Sequence, residues 1–403
     1  MKILQINTTV NSGSTGRIAE DIGKILIANG HESFIAYGRG NQSSKSNLIK
    51  IGSQKDIILH GLKTALFDRH GFGSTKATQE LIEKIEEIKP DVIGLHNIHG
   101  YYLNIEVLFN YLEIKKIPIV WTLHDCWAFT GHCTYFDSVG CEKWKTQCEK
   151  CPKKSFYPTS YLLDNSKKNY LDKKKLLNKV ANGIIITPSK WLKNLVEESF
   201  LKYPVKNIYN GIDLEIFKPQ STITSIKEKY HITKGKIILG VASIWDERKG
   251  LSDFVDLQHQ IISDYQIVLV GLSAKQIKEL PTGIIGIERT ENIQELAALY
   301  SASDVFVNPT YQDNFPTTNI EALACGTPVI TYNTGGSPEA IDELTGKIVS
   351  KGDVQALAKA IEEVLNNGKS FYTKACRLRT ENRFNKEDRY VDYLLVYEKI
   401  VQK

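Results

Sequence analysis

The stretch DVFVNPTYQDNFPTTNIEALACGTPVITY, residues 304–332, reads as one complete unit of a parallel sheet. Val305–Asn308 and Val329–Tyr332 are short apolar strands. Between them the spacing predicts a helix, with Pro316 in its first turn and Gly326 at its end. Strands joined by a helical crossover run parallel, because the crossover carries the chain back to the end it left. Working outward, the same rhythm recurs. Strands are expected at Ile3–Thr8, Ser33–Tyr37, Val92–His96, Ile117–His124 and Gly183–Thr187. A second series follows at Ile237–Val241, Gln266–Val270, Ile284–Ile287 and Lys347–Ser350. Amphipathic stretches such as Arg17–Asn29, Glu80–Ile88, Ile105–Lys115 and Trp191–Leu201 separate the earlier strands. Continuous Val/Ile-rich strands joined by helices imply sheets covered on both faces.

The expected fold is therefore α/β, with two tandem doubly wound, Rossmann-like parallel-sheet domains. The break falls near Tyr209-Asn210-Gly211-Ile212-Asp213, so the domains are 1–205 and 206–385, with a terminal helical segment 386–403. A chain of 403 residues suits two domains with full cores. At 42% hydrophobic and 24% charged it is neither disordered nor collagenous, and it has no apolar run long enough for a membrane span. Its N-terminus reads as a buried first strand rather than a signal peptide, the pattern of a cytoplasmic enzyme.

Charge is uneven. Residues 1–205 hold 28 Lys/Arg against 20 Asp/Glu, and the remainder is slightly acidic. The excess concentrates between Lys143 and Lys179, a stretch able to attract an anionic membrane surface or substrate, or else simply a solvated helix face. Nucleic acid is excluded as the partner because no aromatic-interleaved binding motif accompanies the lysines.

Ligands of open parallel sheets bind beyond the carboxyl ends of the strands, and the informative residues fall there. Gly13 and Gly16 lie in a Gly-rich turn after the first strand, where free helix amides attract phosphate. The turn is not G-x-G-x-x-G, and no acid ends the second strand as in dinucleotide enzymes. In 313–328, Asp313 and Glu321 are eight positions apart, which on one helix is about 12 Å. That exceeds the roughly 5–9.5 Å of a glycosidase pair, so one acid is expected in the loop and the other on the helix. Thr317 and Thr318, with first-turn amides, form a suitable anion seat between them.

This segment, followed by Gly335-Gly336-Ser337-Pro338-Glu339, resembles the E-x7-E signature of retaining, nucleotide-sugar-dependent glycosyltransferases of family four, with the GT-B fold. The resemblance extends over nearly the whole chain. It includes His124-Asp125, Asn210-Gly211-Ile212-Asp213 and Arg248-Lys249-Gly250, and it is closest to the bacterial capsule, exopolysaccharide and colanic-acid subgroup. Asp313 stands where glutamate is usual, and Ile244 where the family has an arginine.

The resemblance implies roles. Lys249, with Arg248, neutralises the donor diphosphate as the sugar leaves, in place of a metal. Amides and hydroxyls around Phe315, Pro316, Thr317 and Thr318 hold that diphosphate, with the Gly13 and Gly16 turn also on the donor. Glu321 is expected on the donor ribose, Asp313 at the sugar hydroxyls and anomeric carbon, and His124 against a sugar hydroxyl or the acceptor. His96, Asn97, His99, Tyr101 and Asp125 are candidates for an acceptor pocket. The last helix is expected to pack back on the first domain. Transfer to a glycan or lipid-linked hydroxyl in surface polysaccharide synthesis is the implied activity, at a cytoplasmic site peripheral to the inner face of the membrane. The rivals are a GT-B epimerase, which would need no second-sugar pocket, and a catalytically silent glycan-binding scaffold.

No cofactor is expected for catalysis. Cys133, Cys141, Cys148 and Cys151 have a spacing compatible with a tetrahedral structural zinc site, which would order a loop too polar to have its own core. Four reduced thiols are the alternative.

Overall fold

A computed structural model of the chain describes every residue except 222, 234, 261–263 and 403. Two units emerge, Met1–Ile208 with Arg389–Lys403, and Tyr209–Asp388. In the first, seven strands run β1 (Lys2–Thr9), β2 (Glu32–Arg39), β3 (Asn47–Lys50), β4 (Val92–Leu95), β5 (Ile119–Thr122), β6 (Gly183–Thr187) and β7 (Val205–Asn207). Their spatial order is β3-β2-β1-β4-β5-β6-β7, and every pairing is parallel. The second unit holds six parallel strands, β8 (Lys236–Val241), β9 (Tyr265–Val270), β10 (Ile284–Ile287), β11 (Val305–Asn308), β12 (Val329–Tyr332) and β13 (Gly346–Val349). Their order is β10-β9-β8-β11-β12-β13.

The central strands β4, β5, β11 and β12 are buried at every position, as sheets covered on both faces require. β3 and β7 were not expected from the sequence. Both are edge strands with no fully buried position, so they carry no apolar run to betray them. In each sheet the order reverses beside the first strand of its unit, β1 or β8. There the connections leave to opposite sides and the strand ends open a crevice.

Helix Lys386–Val401 begins in the second unit and lays its remaining length on the first. Tyr390, Tyr393, Leu394, Val396, Tyr397 and Ile400 are buried there in a cluster with Ile3, Ile22, Val92 and Val120. Gly94 in β4 makes this packing feasible, because a Cβ at that position would lie 2.2 Å from the Tyr397 hydroxyl. No helix among the described residues is long and apolar enough to cross a membrane.

Candidate functional site

In the second unit two segments distant in sequence meet beyond the ends of β8 and β11. Glu247–Lys249 forms a single 3-10 turn capped by Asp246, whose carboxylate accepts from the Lys249 amide at 3.1 Å. Gly250 closes the turn with φ +73°, and a Cβ there would stand 2.3 Å from the Pro309 carbonyl. Only glycine lets the turn press this closely on the end of β11. Arg248 accepts from the Tyr311 amide at 2.8 Å and donates from Nη1 to the Gln312 carbonyl at 3.1 Å. The turn is thus tied to the loop that carries Asp313. Lys249 Nζ reaches Asp313 Oδ2 at 2.5 Å, both side chains being about one-sixth exposed. Asp313 also accepts from the Asn314 amide at 2.9 Å through its other oxygen.

Helix Thr317–Ala324 starts beside this pair. Pro316 is its N-cap rather than a first-turn residue, and no side chain caps the first amides. The proline side chain has no oxygen to cap with, so the N-cap leaves the first helix amides without a side-chain partner of its own. Thr317 and Thr318 are half-buried there, whereas the Phe315 side chain is buried against Tyr209 and Phe384 and leaves only its backbone for a ligand. Glu321 lies on the helix, where its carboxylate accepts from the buried Tyr300 hydroxyl at 3.0 Å. Ile244 is 69% exposed and takes no part.

A buried polar network that the sequence did not disclose fixes the helix. The Asn319 amide nitrogen donates to Ser337 Oγ at 3.0 Å, its oxygen accepts from Asn308 Nδ2 at 2.8 Å, and Ser337 bonds Thr331 at 2.7 Å. Asn308 ends β11 and Ser337 belongs to the Gly335–Glu339 loop, so the network locks helix, strand and loop together. Buried and fully satisfied, it specifies one arrangement.

In the first unit the Gly-rich turn opens helix Gly13–Ala28, again with no side chain on its first amides. Gly13 takes φ +65°, and a Cβ on Gly16 would meet the Thr9 hydroxyl at 2.7 Å. Between the middle of β1 and the ends of β4 and β5 a histidine relay assembles. Gln5 Nε2 donates to the Ala19 carbonyl at 2.9 Å, which leaves its oxygen to accept from His96 Nε2 at 3.0 Å. With that proton placed, His96 Nδ1 accepts from His124 Nε2 at 3.2 Å. His124 is therefore the tautomer whose Nδ1 is the accepting nitrogen. Burial pushes the His124 imidazole down to about 4 against an opposing pull from Asp125, and burial drives His96 well below its ordinary value. The relay is neutral near pH 7.

His99 and Asp125 pair beside it at 2.8 Å, and Asp125 also accepts from the Trp127 amide at 2.9 Å. Burial opposes ionisation of Asp125, but His99 and this amide outweigh it and lower its pKa. Tyr157, absent from the sequence reading, meets His99 Nδ1 at 3.3 Å. Tyr101 has φ +71° and packs against His70 at 4.7 Å between ring centres. Asn97 contributes its backbone, taking hydrogen bonds from Tyr102 and Thr8 at 2.7 and 3.0 Å. The structure thus brings His96, His99, His124, Asp125 and Tyr101 together and adds Gln5, His70 and Tyr157. Tyr157 and His70 lie far from any motif, and only the fold reveals them.

Two expectations change. The zinc reading finds no support: among the described residues no group of three or more His, Cys, Asp or Glu side chains could hold a metal ion. Cys133, Cys141, Cys148 and Cys151 do line one small cavity, as free thiols. The premise fails on physical grounds, because the segment has its own core in the fully or nearly buried Trp127, Phe129, Phe136 and Trp144. Nor is the lysine stretch a uniform solvated face. Lys173 is buried, donates to the Trp127 and Thr130 carbonyls at 2.7 and 3.1 Å, and is pushed down to about 7 by burial. Lys153 is buried too, and Lys145, Lys167, Lys168 and Lys179 are paired with carboxylates.

Comparison with known proteins places these features. A model described as Glycosyltransferase Family 4 matches residues 15–216, and one described as Glycosyl transferases group 1 matches residues 235–367. The chain is 26% identical to WcaC of Escherichia coli (strain K12), named as a colanic acid biosynthesis glycosyl transferase, over 89% of this chain and 90% of that one. Among solved structures, the sucrose-phosphate synthase of Thermosynechococcus elongatus aligns with TM-score 0.73 and 18% identity, over 99% of this chain and 98% of that one. Anabaena Alr3699/HepE in complex with UDP-glucose aligns with TM-score 0.72 and 16% identity, over 99% and 100%. Both structures are alike in fold.

Proposed function

Because the chain belongs to glycosyltransferase family 4, we propose that it moves a sugar from a nucleotide diphosphate sugar to a hydroxyl of a growing surface glycan with retention at the anomeric carbon. The observation that carries the reading is the Lys249–Asp313 contact, which joins the turn after β8 to the loop after β11. A donor diphosphate, with its greater negative charge, supplies a stronger partner for Lys249 than a single carboxylate does. As Lys249 and Arg248 turn to the phosphates, Asp313 is released toward the sugar hydroxyls and the positive charge developing at C1. The uncapped amides of helix Thr317–Ala324 and the Thr317 and Thr318 hydroxyls add donors to the same leaving group. Glu321, fixed by Tyr300, takes the ribose hydroxyls. Since the cations supply the charge neutralisation, the step needs no metal.

In the first unit, His124 Nδ1 is the acceptor nitrogen for a hydroxyl proton, and His99 with Asp125 orients the accepting glycan. The WcaC likeness favours an acceptor of surface polysaccharide synthesis, lipid-linked and met on the cytoplasmic face of a membrane. HepE is described with UDP-glucose, so UDP-sugars are the first donors to try. Incubation with UDP-, GDP-, ADP- and dTDP-sugars, read by nucleoside diphosphate release and by the anomeric NMR signal of the product, tests the proposal. One donor class should release its diphosphate and give a product of unchanged anomeric configuration. Inversion would overturn the retaining step, and no release from any donor would overturn the activity.

A further inference from the structure

Helix Gln54–Phe67 turns apolar side chains to solvent as well as to the core. Ile57, His60 and Thr64 are its buried face. On the outside, Ile58, Leu62 and Leu66 follow one another at four-residue steps and so form a single stripe, with Leu59 beside it and Phe67 at its end. Leu59 is 65% exposed and Leu62 54%. The stripe continues onto a second segment. The Tyr161 amide donates to the Ala65 carbonyl at 2.8 Å and the Leu163 amide to the Leu66 carbonyl at 3.2 Å, which lays residues 161–163 along the end of the helix. Tyr161 is 74% exposed and Leu162 65%, with Phe156 and Leu163 also open to solvent. A continuous apolar surface of this kind on a folded domain marks a contact with something other than water.

Charge at its border selects the partner. Lys55 and Lys63 are exposed on the helix, whereas Lys167 and Lys168 just beyond the loop are paired with Glu149 and Asp172. The neighbouring acids are engaged: Asp56 caps its own helix, Asp164 accepts from the Cys151 amide and Ser166, and Asp172 pairs with Arg69. Apolar side chains bordered by Lys55 and Lys63, with tyrosines among them, match the headgroup layer of an anionic bilayer. The patch also ends at the acceptor residues, because Tyr157 of the same loop is hydrogen-bonded to His99.

We propose that the outer face of helix Gln54–Phe67 and the loop 156–163 together seat the first unit on an anionic lipid bilayer. Its purpose, delivery of a lipid-linked acceptor to His99 and Asp125, rests on the function proposed above, whereas the seating itself does not. The attachment is chiefly apolar. It differs from attraction by the lysine stretch alone, most of which is buried or paired.

Sedimentation of the full chain with phosphatidylethanolamine–phosphatidylglycerol vesicles, and with phosphatidylcholine vesicles, decides it without any sugar substrate. It is run at about 0.1 M and about 1 M salt, between which the Debye length falls from about 10 Å to about 3 Å. The wild-type chain should bind the anionic vesicles and stay partly bound in high salt. The double variant Leu59→Asp, Leu62→Asp changes two solvent-facing positions and should lower the bound fraction by about tenfold or more. Lys174→Glu with Lys175→Glu, outside the patch, should change it by less than about threefold. Unaltered binding by the leucine variant, complete release of the wild type in high salt, or no binding at all would each overturn the proposal. So would light scattering that shows a dimer of this chain abolished by the same leucine substitutions, which would give the patch to a second copy. Nucleoside diphosphate release is read separately, so failure here leaves the transferase reading standing.

Discussion

The candidate donor residues of the second unit and the histidine relay of the first use opposite physical means. The donor side is built from opposite charges left partly accessible: Lys249 and Arg248 on one short turn, Asp313 and Glu321 around one helix start. The relay is built from neutral groups, buried at Gln5 and His96 and half-buried at His124, from three neighbouring strands: Gln5 within β1, His96 after β4 and His124 after β5. A group that must meet a diphosphate has to keep its charge and stay reachable. A group that must accept a proton at one stated nitrogen can be buried, because burial keeps it neutral and the relay fixes its tautomer. The first kind of site shows in the sequence as two short motifs, around 248–249 and 313–321, whereas of the second the sequence named His96 and His124 and only the folded sheet adds Gln5.

Removing a charge should therefore do more than disturbing a tautomer. Lys249→Ala should lower kcat about 10²–10³-fold with the fold intact, since the interaction is aimed at charge that develops on the leaving group. Steady-state rates beside a circular-dichroism spectrum check it, and wild-type turnover would remove Lys249 from the mechanism. The two acids sharpen the same side. Glu321→Gln should mainly raise the donor KM, because a ribose contact is made in ground and transition states alike, whereas Asp313→Asn should mainly lower kcat. Equal changes in both constants from both variants would erase this division of labour.

On the relay side, Gln5→Leu removes the acceptor for His96 Nε2 and with it the fixed tautomer of His124. A loss of about tenfold in kcat is expected, at the lower end for general acid–base groups. The pH profile should shift as well, a change that loosened packing alone would not produce. Gln5→Asn with an unaltered profile and Gln5→Leu without a shift would leave the relay merely structural.

The same burial makes the first unit sensitive to acid. Burial lowers His60 to about 3 and His124 to about 4 from an ordinary 6.5, and His70 and His96 well below it. As the pH falls below about 6.5 the unfolded chain takes up protons on these imidazoles while the folded chain does not. Stability is then lost, by up to about 1.4 kcal/mol per pH unit for each imidazole, and is fully present above about 6.5. Trp121, Trp127, Trp144 and Trp191 all lie in the first unit, so tryptophan fluorescence on thermal scans from pH 7 to pH 5 should register the drop. A melting temperature flat across that range would contradict the neutral relay.

Much of the fold was legible because central parallel strands must be apolar throughout, as β4, β5, β11 and β12 are. The edge strands β3 and β7 were not, since half-exposed backbone imposes no such pattern. Helix Gln54–Phe67 also escaped the periodicity reading. Its apolar residues lie on both faces, and the outward ones that obscured the pattern are those of the proposed bilayer seat. Residues 313–321 announced themselves through a proline, a terminal glycine and spaced acids. Tyr157 and His70 gave no signal because their partners are 58 and 30 residues away. The cysteine spacing misled for a different reason. It implied a loop without a core, and the four aromatics that form that core were not counted toward it.

Calorimetric titration of the chain with the nucleotide sugar that supports turnover tests the division between the units most directly. Lys249→Ala and Glu321→Gln should each weaken donor binding by about tenfold or more, as expected for losing a charge-assisted contact. His99→Ala, on the acceptor side, should leave donor binding within about twofold of wild type. If His99→Ala weakens the donor as strongly as Lys249→Ala does, or if neither Lys249→Ala nor Glu321→Gln weakens it, the assignment of the donor to the second unit is wrong.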